Sequence, residues 1–177
     1  MSDTLTLATQ KKQALVDAKI FEQSHVQRTE QERMRVRQGI IEFEQALTKV
    51  PGAVLGDSMP LRHSFADGCY VREILVPKNT LVVGKIHKHS HPRFLLRGEA
   101  LVFTEHTGWR YFRAPSYVIS QSGRKSIFFA LEDTIVVTVH VTDETDLEKI
   151  EDFVIAKTYD DYETFKKEQL ALMEPAI

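Results

Sequence analysis

What most constrains this chain is a series of short β-branched and aromatic runs between residues 70 and 141, with no helical pattern between them. The runs occupy residues 70–76, 80–91, 94–104, 109–114, 117–120, 125–131 and 134–141. Turn formers separate them: Pro77-Lys78-Asn79, Arg97-Gly98, His106-Thr107-Gly108, Ser122-Gly123 and Glu132-Asp133. Strands at such even spacing predict an antiparallel sandwich or small barrel.

The flanks read differently. Residues 1–50 contain no Pro and a single glycine, Gly39, and are rich in helix formers. Val36, Ile40, Phe43, Leu47 and Val50 step by four, three, four and three, which is one face of a helix. Ala14, Ala18 and Phe21 form a weaker stripe. These patterns predict helices over about 10–26 and 30–49, ended by Pro51-Gly52. Beyond Thr142 helix signals return, with Thr145/Glu148 and Asp160/Glu163 in capping-box spacing. The expected division is a helical extension over 1–52, a β-barrel over 53–142 and C-terminal helices over 143–177.

Composition excludes several classes. A chain of 177 residues can bury a core without staples, and the lone Cys69 leaves no internal disulfide and no zinc-finger spacing. A formal charge of −2 lacks the basic footprint of a nucleic-acid binder. No stretch has the length of a membrane span, and Met1 precedes polar residues, so a soluble cytoplasmic protein is expected.

The chemistry concentrates in residues 81–92, Leu-Val-Val-Gly-Lys-Ile-His-Lys-His-Ser-His-Pro. On a strand, alternate residues share a face, which groups His87, His89 and His91 with Lys85. Converging neutral imidazoles suit a divalent transition ion such as Zn, Fe, Ni or Mn. A straight strand carries a third histidine too far along, so a bend before Pro92 is needed to return His91 toward His87. The competing reading is a polar strand end facing water.

On these residues the chain resembles the cupin superfamily. Counting back from Gly98 through the family's first motif, its Glu position falls on His91 and its two His positions on His87 and Lys85. In the second motif Gly123 is kept, whereas Pro115 and Gln121 replace the first Gly and the Pro. Ser126 and Ala130 stand for the last metal His and the Asn. The resemblance is closer to small cupins encoded by tailed phages. It runs through Met59-Pro60, His63, Phe65, Gly68, Tyr70 and Arg72-Glu73-Ile74, then Gly84-Lys85, His87-Lys88 and His91-Pro92. It continues with Glu132-Asp133-Thr134, His140 and residues 142–146. It implies a jelly-roll barrel and a metal site of His87, His91 and His140, with His89 particular to this chain. Pairing supports His140: if Glu132-Asp133 is a hairpin turn, Ser126 lies beside Val139 or His140. The opposing view makes His140 a buried, hydrogen-bonded histidine among valines.

Other candidates are weaker. Lys85, facing into the barrel, would meet an anionic ligand, or Glu73 or Glu99 would neutralise it. Arg93 and Arg97 flank the run near a turn and read better as solvated than as an anion clamp. His25, His63 and His106 have no sequence partner. Two functions remain open. One is a metal-dependent enzyme acting on a small polar or anionic molecule in the barrel. The other is a non-catalytic binding or assembly protein, in the host cytoplasm or virion if phage-encoded, using its N-terminal helices for contacts. A homodimer is expected in either case.

Overall fold

The computed structural model describes residues 28–51, 53 and 59–173. The helix expected over 10–26 lies outside them.

Eight strands pair in a nested order. β2 (Cys69–Val76) pairs with β10 (Thr134–Val141), β3 (Leu81–Val83) with β9 (Ser126–Ala130), β5 (His91–Arg97) with β8 (Ser116–Ser120), and β6 (Glu99–Thr104) with β7 (Gly108–Arg113). This is one long antiparallel ribbon doubled back at the turn between β6 and β7. Pairing of β10 with β5 and of β6 with β9 rolls that ribbon up. The resulting sheets have the orders β1-β2-β10-β5-β8 and β3-β9-β6-β7, where β1 is Leu61–Ala66. All of these pairings are antiparallel, and the order is that of a jelly roll. Between the sheets Val76, Leu95 and Val136 meet Ala100, Val102, Phe128 and Ala130 in one buried core.

Three local expectations change. The run over 80–91 is not one strand. It breaks at Gly84, where an added Cβ would lie 3.2 Å from the Ser126 hydroxyl, and again at residues 88–90. Between the breaks, β4 (Ile86–His87) pairs with the two-residue strand β11 (Ile155–Ala156). Glu132-Asp133 is a corner between sheets, not a hairpin turn, so β9 and β10 lie in opposite sheets and Ser126 is not a partner of His140. The Asp133 carbonyl is pressed against Gly98 and the Asp133 carboxylate accepts from the Lys78 amide, which carries the chain across. Third, β1 has no counterpart among the expected runs. It joins β2 through Asp67-Gly68, with Ala66 opposite Cys69.

The helices are α1 (Glu30–Leu47), α2 (Leu147–Val154) and α3 (Tyr159–Met173). Their caps sit beside the expected boxes. Asp146, not Thr145, caps α2, and Thr158 with Asp161 closes the start of α3 reciprocally. Helix α1 begins with a Thr29/Glu32 capping box. It buries Ile40 but leaves Phe43 exposed, and Val50, expected on the same stripe, lies exposed beyond its end. Arg37 and Glu44 reach from it to Glu105 and Lys125 of the β-sheet unit. Among the described residues no helix is long and apolar enough to cross a membrane.

Candidate metal centre

The break at residues 88–90 is what assembles the site. His87 ends β4, the chain turns, and His91 opens β5; His140 projects from β10 between β2 and β5. One ring nitrogen from each of the three lies within 4.8 Å of the others. Ring centroids are 4.1 Å apart for His87 and His91, 4.6 Å for His91 and His140, and 5.3 Å for His87 and His140. His91 and His140 are only 3% and 5% exposed.

The C-terminal segment holds β4 in place. His87 is opposite Ile155, the Lys88 amide donates to the Val154 carbonyl, and the Gly123 amide donates to the His87 carbonyl. Ile86 packs with Ala156 and Tyr162. Helix α2 covers Tyr70, which neighbours His140 in register and stacks on its ring. His63, unassigned from sequence, places Nδ1 2.6 Å from the Tyr70 hydroxyl.

Burial holds all three imidazoles neutral. It pulls His87 down to about 2, helped by His91, His140, Arg72 and Arg93. It pulls His140 down to about 4, helped by His91 and Arg72, and lowers His91 as well. Neutral imidazole is the form that binds metal. His87 Nδ1 is buried and without a hydrogen-bond partner among the described residues. A buried nitrogen without a partner, on a ring that stands against two other imidazoles, is a need that a metal ion would meet, so the donor set fits a divalent transition metal.

Two other sequence candidates lie elsewhere. His89 faces away from the cluster, its ring against Phe153 and Phe165. It is not grouped with the other three because the turn at 88–90 ends the strand alternation on which the grouping rested. Lys85 lies outside the roll, half-exposed, 2.7 Å from Glu151 of α2. Its acidic partner is neither Glu73, which faces Arg62, nor Glu99, which faces Arg113. Arg97 is exposed, as expected, whereas Arg93 turns inward between His91 and Leu95.

No protein family model matches the chain, and no curated protein matches it. Solved structures similar to it include ectoine synthase from P. lautus, at 11% identity and a TM-score of 0.46 over 64% of this chain and 88% of that one. KdgF from Halomonas sp. is 11% identical with a TM-score of 0.44, covering 53% of this chain and 89% of its own. A cupin superfamily protein from Desulfitobacterium hafniense is 8% identical with a TM-score of 0.42, covering 51% and 83%. At these scores neither activity nor substrate is carried over.

Proposed function

We propose that the chain is a metal-binding cupin whose His87, His91 and His140 hold one divalent transition ion, Zn, Fe, Ni or Mn, and that it acts on a small polar or anionic molecule inside the roll. The observation that carries this reading is the convergence of three neutral imidazoles, those of His91 and His140 buried and that of His87 half-buried, with His87 Nδ1 left without a hydrogen-bond partner among the described residues. Bound there, the ion would supply Lewis acidity and polarise a ligand oxygen. The chain's own residues do the rest. Tyr70 and His63 form a hydrogen-bonded pair beside His140, and Arg72 and Arg93 place positive charge near His87, and Arg72 near His140 as well. The small phage cupins that the sequence resembles carry the same three histidines, which supports the ligand set. Exposed Tyr117 and Ile119 on the edge strand β8, with exposed Leu96 on the neighbouring β5, support a homodimer as part of the same reading.

The test is elemental analysis of untagged protein, wild type beside His87→Ala and His140→Ala. About one transition metal per chain, lost in both variants, is expected. A folded wild type that takes up no metal on reloading overturns the reading.

A further inference from the structure

The two sheets of the roll end in four edge strands, β1 and β8 on one, β3 and β7 on the other. An edge strand offers unpaired N–H and C=O groups to any further strand, and charge, shortness or a bulge normally keeps strands off. Three of the four edges carry such a device. β1 has Arg62 and His63 and runs into Asp67, β7 has Arg110 and Arg113, and β3 is only three residues long. β8 has none. Its register with β5 runs without a bulge from Ser120 opposite His91 to Ser116 opposite Leu95, and Pro115 precedes the strand without interrupting it. Residues 114–123, Ala-Pro-Ser-Tyr-Val-Ile-Ser-Gln-Ser-Gly, hold no charged side chain in a chain that is 27% charged.

The same edge is apolar on its exposed side. Tyr117 and Ile119 are 69% and 48% exposed, and Leu96 on the neighbouring β5 is 54% exposed. Phe94 of β5 stands opposite Tyr117, with ring centroids 6.0 Å apart. The strand is also its own complement. Placed antiparallel to a second copy about Val118, Tyr117 falls opposite Ile119 of that copy, Ile119 opposite its Tyr117, and Ser116 opposite its Ser120. Directly opposed residues of an antiparallel pair share a face, so two aromatic–β-branched pairs form on the exposed side. Arg113 then meets Gly123 of the second copy, and no charge opposes a like charge. A shift of two residues opposes Tyr117 to itself and Ile119 to Pro115, or Ile119 to itself and Tyr117 to Gln121.

We infer that β8 pairs with β8 of a second copy of this chain, antiparallel about a two-fold axis at Val118, so that two five-stranded sheets run on as one. This names the surface behind the homodimer proposed above and rests on that part of the reading. A strand from another protein would find backbone groups here but no charge to select it, whereas a second copy is selected by the residue pattern itself. Ser120 stands opposite His91, so the seam lies one strand from the metal centre and braces the strand that carries one of its ligands.

The experiment is sedimentation equilibrium of the full chain over a range of concentrations, and wild type is expected to be a dimer. Ile119→Lys, which places a charge twice across the two-fold axis, should raise the dimer Kd by about a hundredfold or more. Tyr117→Glu should act in the same way, and both positions are exposed enough to accept charge in the folded monomer. The double variant Tyr117→Glu/Ile119→Lys opposes acid to base in the pairing about Val118, and should recover about tenfold or more of that loss. Leu172→Lys, exposed near the end of α3, should leave the Kd within about twofold. Hydrogen exchange on wild type needs no substitution and should show protection in residues 116–120 that falls on dilution. A wild type that stays monomeric overturns this pairing together with the homodimer. A dimer that survives both single variants, one that the double variant does not recover, or protection of β8 that is independent of concentration overturns the pairing and leaves the homodimer standing.

Discussion

His91 Nδ1 lies 3.2 Å from the backbone carbonyl oxygen of His89. A carbonyl only accepts, so Nδ1 carries the proton and Nε2 presents its lone pair to His87 and His140. The turn at residues 88–90 therefore sets both the position and the tautomer of His91. Since only the backbone of residue 89 takes part, His89→Ala should keep about one metal ion per chain by elemental analysis. His91→Ala should lose it. Loss of metal in His89→Ala would return His89 to the ligand set.

The buried histidines make the metal-free protein acid-sensitive. His87 and His140 titrate near 2 and 4 in the folded chain, against an ordinary value near 6.5 in the unfolded one. Above pH 6.5 they are neutral in both states and contribute no pH dependence. Below it the unfolded chain takes up protons that the folded chain refuses, so stability falls as pH falls. Each such histidine costs about 1.4 kcal/mol per pH unit until its folded value is reached. Urea melts of metal-free protein between pH 7 and 4.5 should show this loss, and His140→Gln should flatten it. A melt midpoint constant over that range would refute the assignment.

Lys85 and Glu151 form a half-exposed ion pair between the β3–β4 connection and α2. Exposed pairs contribute little, typically under about 1 kcal/mol. Lys85→Gln should therefore shift stability by less than that in urea melts and leave the metal content of the chain unchanged by elemental analysis. A loss of metal in this variant would put Lys85 back beside the site.

The sheet residues were readable because alternation and turn chemistry act locally. Residues 134–141 form β10 with Val136 and His140 on its inner face, and the Lys/Arg/Glu-rich stretch around Ile40 forms α1. Partner choice was less accessible. Nothing local distinguishes a hairpin at Glu132-Asp133 from a corner between sheets, because the difference lies in the backbone of Asp133 packing on Gly98, 35 positions away. The same limit hid β11: two residues, Ile155 and Ala156, have no periodicity, yet they fix His87. Strand β1 did leave a signal, since Asp67-Gly68 is a two-residue hairpin sequence with Gly68 at φ 72°. Arg93 was read as solvated because its type is usually exposed, and its inward place follows only from the registers with Thr138 and Val118.

The attachment of α1 rests on a charge pair more than on its apolar stripe. Glu105 is fully buried and both its oxygens accept from Arg37, at 2.5 and 2.8 Å. Removing one partner leaves the other charge buried alone, which costs about 3–5 kcal/mol. Arg37→Ala and Glu105→Ala should each lower Tm by roughly ten degrees in a chain of this size. The double variant Arg37→Met/Glu105→Leu should recover most of that loss, because no uncompensated charge remains. Additive losses in the double variant would show that the pair is not the anchor.

Two glycines should respond to alanine with opposite signs. Gly98 turns the chain between β5 and β6 at φ 83°, and an added Cβ would lie 2.5 Å from the Asp133 carbonyl oxygen. The backbone conformation alone costs an L-residue about 1–2 kcal/mol. The clash is with main chain at the corner between sheets, which no rotamer relieves, so Gly98→Ala should cost more than that and lower the yield of folded protein. Gly39 lies in the middle of α1, and nothing is within 4 Å of the position its Cβ would take. There alanine restricts the unfolded chain and favours the helix, which stabilises by about 0.5–1 kcal/mol. Gly39→Ala should thus raise Tm by about 1–4 °C. A fall would mean that the exposed face of α1 around Gly39 is covered in solution, since a methyl group facing water has nothing to displace.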